Sequence, residues 1–356
     1  MPEITVGLRV PHGLRGGAAG LRDFVARAEA AGIDRLCAGD HVTFRGGRGF
    51  DGLLTATALA MASRRLAVQT AVYLLALRHP VPVARQVAAL AELAPGRLLF
   101  GVGLGGDDPA EWRACGVDPR TRGRRLDEAL AVLRPLLDGA EVTMSGDFFQ
   151  PDRVRIGPVP HPPVPIIIGG RSDAALRRVA RHGDGWLGLW VSPARYAEAV
   201  ERIGRFAAQA GRPVRGDETE GDGAEGTAEM ERRGTGAAGG GRGPGGKAWQ
   251  HGLHVWCGLG ASPAAARPRL AAVMEELYRT PFTKFERYCP CGTPDDIAAA
   301  LQPYVAAGCR SFNLIPVVDC DVAETDQAEI DGADAVRTAL RDARGPSPVA
   351  GTVREG

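Results

Sequence analysis

Eight times along this chain a short apolar, β-branched run gives way to a longer segment with helical periodicity. That rhythm is the mark of parallel βα units, in which helices cover the strands on the outside and consecutive strands pair side by side. The expected strands are Ile4–Val10, Asp34–Gly39, Leu66–Leu74, Arg97–Gly105, Pro163–Gly170, Gly185–Val191, Gly252–Gly260 and Arg310–Val318. The expected helices are Leu21–Ala31, Leu53–Ser63, Val81–Leu93, Arg122–Leu137, Asp173–His182, Pro193–Ala210, Pro263–Tyr278, Thr293–Ala307 and Ala323–Asp342. Leu126, Leu130, Leu133 and Leu137 recur at the spacing of a core stripe. Pro80 suits a helix start, and Thr293 suits a cap.

Two stretches break the rhythm. Gly139–Pro163 is irregular and reads as a small hairpin outside the repeat. Arg212–Lys247 is rich in Gly, Glu and Arg and nearly empty of large apolar residues, so burial cannot offset its ordering entropy. It reads as a disordered insertion, because the pattern resumes behind it. The tail, 344–356, reads the same way. The expected architecture is one closed (β/α)8 TIM barrel over residues 1–343. An open doubly wound sheet is the competitor, but the Gly-rich segment Pro11–Gly20 after the first strand has no G-x-G-x-x-G.

Charge and composition exclude several classes of partner. The 356 residues carry 43 Lys and Arg against 42 Asp and Glu, with none of the basic excess of a nucleic-acid surface. The opening MPEITVGLRV lacks the pattern of a secretory leader, and no apolar run reaches membrane-spanning length. Seven cysteines, odd in number and scattered, point to reduced thiols and a cytoplasmic protein. Cys289-Pro290-Cys291 lacks the spacing of zinc or redox pairs, so no metal is expected.

In a barrel of this kind, chemistry gathers at the C-terminal ends of the strands. The second strand ends in Gly39-Asp40-His41. There His41 could move a proton near neutral pH, and Asp40 could orient or charge it. The alternative is a surface loop with an incidental histidine. Small residues Thr70 and Ala71 in the third strand leave room for a flat ligand. The fourth strand ends in GVGLGG, Gly101–Gly106. No helix is expected where a dinucleotide fingerprint would need one, since DDPAEW follows with Pro109. The segment reads as a strand end bare of side chains and open to a bulky ligand. In the fifth unit, Gly169, Gly170, Arg171 and Ser172 bring exposed amides and a guanidinium to a helix N-terminus, a ready anion site. Trp186, Trp190 and Trp256 read first as core. Trp186 and Trp190, four apart, are expected on one side of their strand, which leaves a pocket-lining role open.

Together these motifs resemble a known family. Asp40-His41, the block RHPVPVARQVAALAELAPGRLLFGVGLGG, RRLDEALAVL and PIIIGGRSDAALRRVARHGDGW are similar, in order and spacing over Ile4–Val191, to the luciferase-like superfamily. GTPDDIAAALQPYVAAGCRSFNLIPV resembles its closing barrel segment. The resemblance implies an oxidoreductase with a cofactor of the flavin type, either FMN or the deazaflavin coenzyme F-420. It places the cofactor phosphate on Gly169, Gly170, Arg171 and Ser172, and the ring near Asp40, His41, Ala71, Val72 and Gly103. In the deazaflavin branch the bond matching Ala71–Val72 is a non-proline cis peptide.

Two departures from the family bear on function. Gly106 stands where the deazaflavin sugar-phosphate dehydrogenases carry an acid, which argues against a sugar phosphate. Leu104 stands near the position where the luciferases proper carry an Arg that helps to hold the FMN phosphate, and its absence argues against a true luciferase. The first expectation is therefore hydride transfer between F-420 and a small organic substrate, with His41 as acid/base and Asp40 setting its charge state. The alternatives are an FMN-dependent monooxygenase served by a flavin reductase, and a flavin-binding protein without turnover. A homodimer is the assembly the resemblance implies.

Overall fold

The computed structural model describes residues 3–11, 16–47, 49–105, 108–211, 249–320 and 325–343. The strands are β1 (Thr5–Arg9), β2 (Arg35–Ala38), β3 (Ala67–Thr70), β4 (Leu98–Val102), β5 (Ile166–Gly169), β6 (Gly185–Leu189), β7 (Gly252–Leu259), β8 (Cys291–Gly292) and β9 (Ser311–Val318). All pair in parallel. β1 to β7 follow one another around the ring, and β9 lies between β7 and β1. This is the closed eight-stranded (β/α)8 barrel, with β8 as an extra two-residue strand on β7.

The helices are α1 (Gly17–Ala30), α2 (Gly52–Ala62), α3 (Pro80–Leu93), α4 (Pro109–Ala114), α5 (Arg122–Leu137), α6 (Asp173–His182), α7 (Pro193–Gln209), α8 (Pro263–Tyr278), α9 (Pro294–Ala306) and α10 (Thr325–Asp342). α5 buries Leu126, Leu130, Leu133 and Leu137 as its spacing requires. Thr293 closes a capping box on α9 with Asp296, which satisfies two otherwise orphan amides. The irregular segment does contain an antiparallel pairing, between Val142 and Val154. The expected insertion at Arg212–Lys247, the tail, and the start of the last helix at Ala323 lie outside the described residues.

Three sequence expectations are corrected. The third strand does not run to Leu74. It stops at Thr70, the Ala71–Val72 peptide is cis, and the chain rejoins β4 only through the bridge between Tyr73 and Val102. The stretch from Tyr73 to Leu77 is apolar because it is buried in a loop and a short 3-10 turn. Second, a helix does follow the fourth strand: α4 starts at Pro109, with Asp108 as its cap. Third, Trp186 and Trp190 do not share a face. β6 ends at Leu189, and Trp190 takes a left-handed φ of 50°. Trp186 packs on Tyr196 of α7, with ring centroids 5.2 Å apart. Trp190 turns instead to Tyr278 and Phe285.

The barrel interior is unusually polar. Arg35 donates from Nε to Asn313 Oδ1 (3.1 Å) and from Nη2 to Ser311 Oγ (2.8 Å). Asn313 in turn donates to Gln69 Oε1 (3.1 Å). Gly7 makes room for this chain of contacts, since a Cβ there would lie 2.7 Å from Asn313 Oδ1 and 2.8 Å from Arg35 Nε. A tighter constraint sits between β3 and β4. A Cβ on Gly101 would lie 1.8 Å from the Thr70 carbonyl oxygen, a backbone atom that cannot swing aside. Gly101→Ala is therefore expected to lower stability by about 1–3 kcal/mol or more, the cost of overpacking a closed core. The urea unfolding midpoint measures it, and an unchanged midpoint would refute the tight β3–β4 approach.

Candidate active site

The C-terminal mouth is organised around Asp40, just past the end of β2 and 2% exposed. Its Oδ1 accepts the Gly52 amide (2.9 Å) at the start of α2, and its Oδ2 accepts the Leu74 amide (2.8 Å) beyond β3. Arg78 closes on both oxygens, at 2.6 Å and 2.9 Å, in the two-pronged geometry that a guanidinium offers a carboxylate. The Arg78 guanidinium also lies over the Tyr73 ring at 4.3 Å and reaches Asp51 Oδ2 at 3.3 Å. Burial pushes the Asp40 carboxyl up, and Arg78 and the two amides work against it. One carboxylate thus ties together four segments: the end of β2, the start of α2, the loop after β3 and the approach to α3.

Asp40 and His41 are chain neighbours, but the carboxylate seen against the imidazole belongs to Glu111 of α4. Glu111 is 1% exposed, and its Oε2 lies 3.4 Å from His41 Nδ1. Its Oε1 accepts the Val42 amide at 2.5 Å. Burial pushes the Glu111 carboxyl up, but the hydrogen bonds from His41 and from the Val42 and Thr43 amides outweigh it, and the group sits below its usual value. An ionised carboxylate can only accept, so in the neutral imidazole this contact puts the proton on Nδ1 and makes Nε2 the acceptor. The imidazole is further held by stacking on Phe44, with centroids 4.2 Å apart. Asp108 fastens the same loop to α4, accepting the Arg45 amide (2.8 Å) and the Ala110 amide (3.0 Å).

Val72, beside Ala71, lies against Gly103, so the glycine-rich strand end is not bare. A Cβ on Gly103 would lie 2.5 Å from Val72 Cγ2, and one on Gly169 would lie 3.2 Å from Val72 Cγ1. Leu74 likewise fills the space beside Gly105. The half-buried Val72 side chain is therefore a floor laid across the ends of β4 and β5. Gly106 lies outside the described residues.

The fifth unit brings Gly170, Arg171 and Ser172 to the start of α6. Gly170 has φ 124°, a conformation that favours glycine, and Ser172 caps α6 through Ala175 N (3.3 Å). Arg171 is exposed and lies over Trp190 at 5.9 Å. It borders a cavity of about 540 Å³ whose other walls include Trp190, Ser192, Arg195 and Arg287. Three arginines thus border one cavity, and one of them, Arg195, is paired with Glu198 at 2.8 Å. Trp190 Nε1 is buried without a hydrogen-bond partner. Sequence reasoning missed Glu111, Arg78, Arg195 and Arg287. Only Glu111 carried a local signal: Asp108-Pro109-Ala110-Glu111 is a cap, a proline at the first helical position and an acid in the first turn.

A family model described as luciferase-like monooxygenase matches residues 5–217. Over 160 residues the chain is 36% identical to an uncharacterised protein of Mycobacterium tuberculosis, covering 45% of this chain and 54% of that one. Over 172 residues it is 30% identical to the F420-dependent glucose-6-phosphate dehydrogenase of Nakamurella multipartita, covering 47% of this chain and 51% of that one. The chain spans about half the length of these curated relatives. Among solved structures, an F420-dependent secondary alcohol dehydrogenase in complex with an F420-acetone adduct matches with a TM-score of 0.72 and 18% identity, over 96% of this chain and 100% of that one. The monooxygenase RslO1 from Streptomyces bottropensis matches with a TM-score of 0.70 and 18% identity over the same shares. Both structural likenesses speak to the fold alone. No helix among the described residues is long and apolar enough to cross a membrane.

Asp40→Asn keeps the shape of the side chain and removes the charge that Arg78 faces. It is expected to cost about 3–5 kcal/mol, the usual penalty for breaking a buried pair from one side. Urea unfolding reads the loss, and a change well under 1 kcal/mol would show that Asp40 does not hold the mouth together.

Proposed function

Because this chain belongs to the luciferase-like monooxygenase family, we propose that it is an oxidoreductase that moves a hydride between coenzyme F-420 and a small organic substrate. The observation that carries this reading is the Glu111-oriented His41 at the barrel mouth, within a family whose curated relatives here include F420-dependent dehydrogenases. The residues present fit such a cofactor. The arginine-lined cavity and the start of α6 suit its phosphate, with Gly169, Gly170, Arg171 and Ser172 as the holding group and Arg195 and Arg287 beside them. Ala71, Val72 and Gly103 offer its ring an apolar floor.

Bound there, F-420 supplies the two-electron centre. The chain's own part is to manage the proton. With Nδ1 committed to Glu111, His41 Nε2 takes the substrate proton when the substrate is oxidised and returns it in the reverse direction. Glu111 stabilises the imidazolium that forms, the charge-setting part that the sequence alone assigned to Asp40. Asp40 is a positioning residue. It fixes the backbone from which His41 and Val72 project and has no need to touch the reacting atoms.

His41→Ala should lower turnover with F-420 by about 10²–10⁴, the usual contribution of a general acid or base, while cofactor affinity stays close to wild type. Glu111→Gln should lower it less, because the imidazolium loses its carboxylate partner but keeps its place in the loop. A panel of alcohols, aldehydes and ketones, followed anaerobically through the cofactor's absorbance, makes the test. His41→Ala turning over at the wild-type rate would remove the histidine from the reaction. Turnover that needs FMN and oxygen would replace hydride transfer with monooxygenation.

A further inference from the structure

The opposite, N-terminal end of the barrel holds a second cavity, of about 330 Å³. Its apolar side is formed by Leu99, Ile167 and Leu187, the inward residues of β4, β5 and β6. Facing them is Arg35, which is 5% exposed. A cation at such depth normally meets a carboxylate, because its desolvation is otherwise uncompensated. Arg35 instead gives Nε to the neutral amide of Asn313 and Nη2 to the neutral hydroxyl of Ser311. Among the described residues the lining carries one carboxylate, Glu3, and that is held by Arg341 at 3.0 Å. Arg310 adds a second cation to the wall.

The rim adds neutral donors. His251 accepts the Trp186 amide at Nδ1 (3.2 Å), so its proton sits on Nε2, and burial pushes its pKa down to about 4. It stays uncharged at neutral pH and stacks under Trp249 with ring centroids 5.4 Å apart. Gln69 Oε1 is occupied by Asn313, which leaves its amide hydrogens as donors. The cavity therefore combines an apolar side, an uncompensated buried guanidinium and donors without matching acceptors. Its volume is at the lower bound of small-molecule sites.

We propose that this cavity is a second binding site, distinct from the mouth with His41, and that it takes a small monocarboxylate with a compact apolar body. The carboxylate pairs with Arg35, and the hydrocarbon lies on Leu99, Ile167 and Leu187.

Benzoate is the probe, benzamide its uncharged counterpart, and 4-bromobenzoate its crystallographic reporter. Calorimetry of the full chain should show saturable binding of benzoate, with benzamide weaker by on the order of tenfold or more, as expected for loss of a charge-assisted hydrogen bond. Crystals soaked in 4-bromobenzoate should place the bromine among Leu99, Ile167 and Leu187. Arg35→Gln should weaken benzoate by a similar factor. Leu187→Trp keeps the guanidinium, fills the apolar side and should abolish binding, which covers the case in which Arg35→Gln fails to fold. Absence of saturable benzoate binding would overturn the proposal. So would bromine found only at the other end of the barrel, or benzoate affinity unchanged in Leu187→Trp.

Discussion

The C-terminal mouth depends on one buried ion pair, between Asp40 and Arg78. A carboxylate this deep is tolerable only if its lone pairs are filled, and two amides and a two-pronged guanidinium fill them. Each donor arrives from a different segment, so none can move without stranding charge in a dry place. Gly52 shows how little slack there is, since a Cβ on it would lie 2.8 Å from Asp40 Cβ. The pair fixes geometry at a junction that local hydrogen bonding could not hold.

The chemical parts are arranged around that fixed point. His41 follows Asp40 directly, and Glu111 reaches it from α4, which Asp108 pins to the same loop. On the other side, Leu74 is held by Asp40 while Val72, two residues earlier, lies across Gly103 and Gly169. His41, proposed above to move the proton, follows that carboxylate in the chain, and Val72 lies two residues before the Leu74 amide that the carboxylate holds. The arginine-lined cavity sits farther around the ring, past the ends of β5 and β6, with Arg171 beside the start of α6. The division into an apolar floor, a proton site and a cationic flank is the physical content of the proposed function.

The barrel was legible because its rhythm is local. α5, α6 and α8 fall on the expected residues, since apolar spacing and caps mark them directly. The strands ran too long where burial continued without pairing. Tyr73 to Leu77 is as apolar as a strand, and hydrophobicity cannot separate a strand from a buried loop. α4 escapes the sequence pattern because Pro109 reads as a break, although proline is at home in the first turn. The Gly101–Gly106 strand end reads in sequence as open space, whereas Thr70, Val72 and Leu74 fill its described part, through Gly105, from β3 and the loop beyond. At the site, His41 and the fifth-strand glycines stood out by position. Their partners did not, because Glu111 is 70 residues from His41 and Arg78 is 38 from Asp40. No local pattern pairs residues at that separation.

The central claim is that the mouth is built for a deazaflavin. The most direct measurement is a fluorescence titration of the purified, cofactor-free protein with F-420 and, separately, with FMN. The account predicts saturable, tight binding of F-420 and much weaker binding of FMN. Tighter binding of FMN would contradict it and direct attention to oxygen chemistry with a partner flavin reductase, and binding of neither would remove the cofactor site from the mouth altogether.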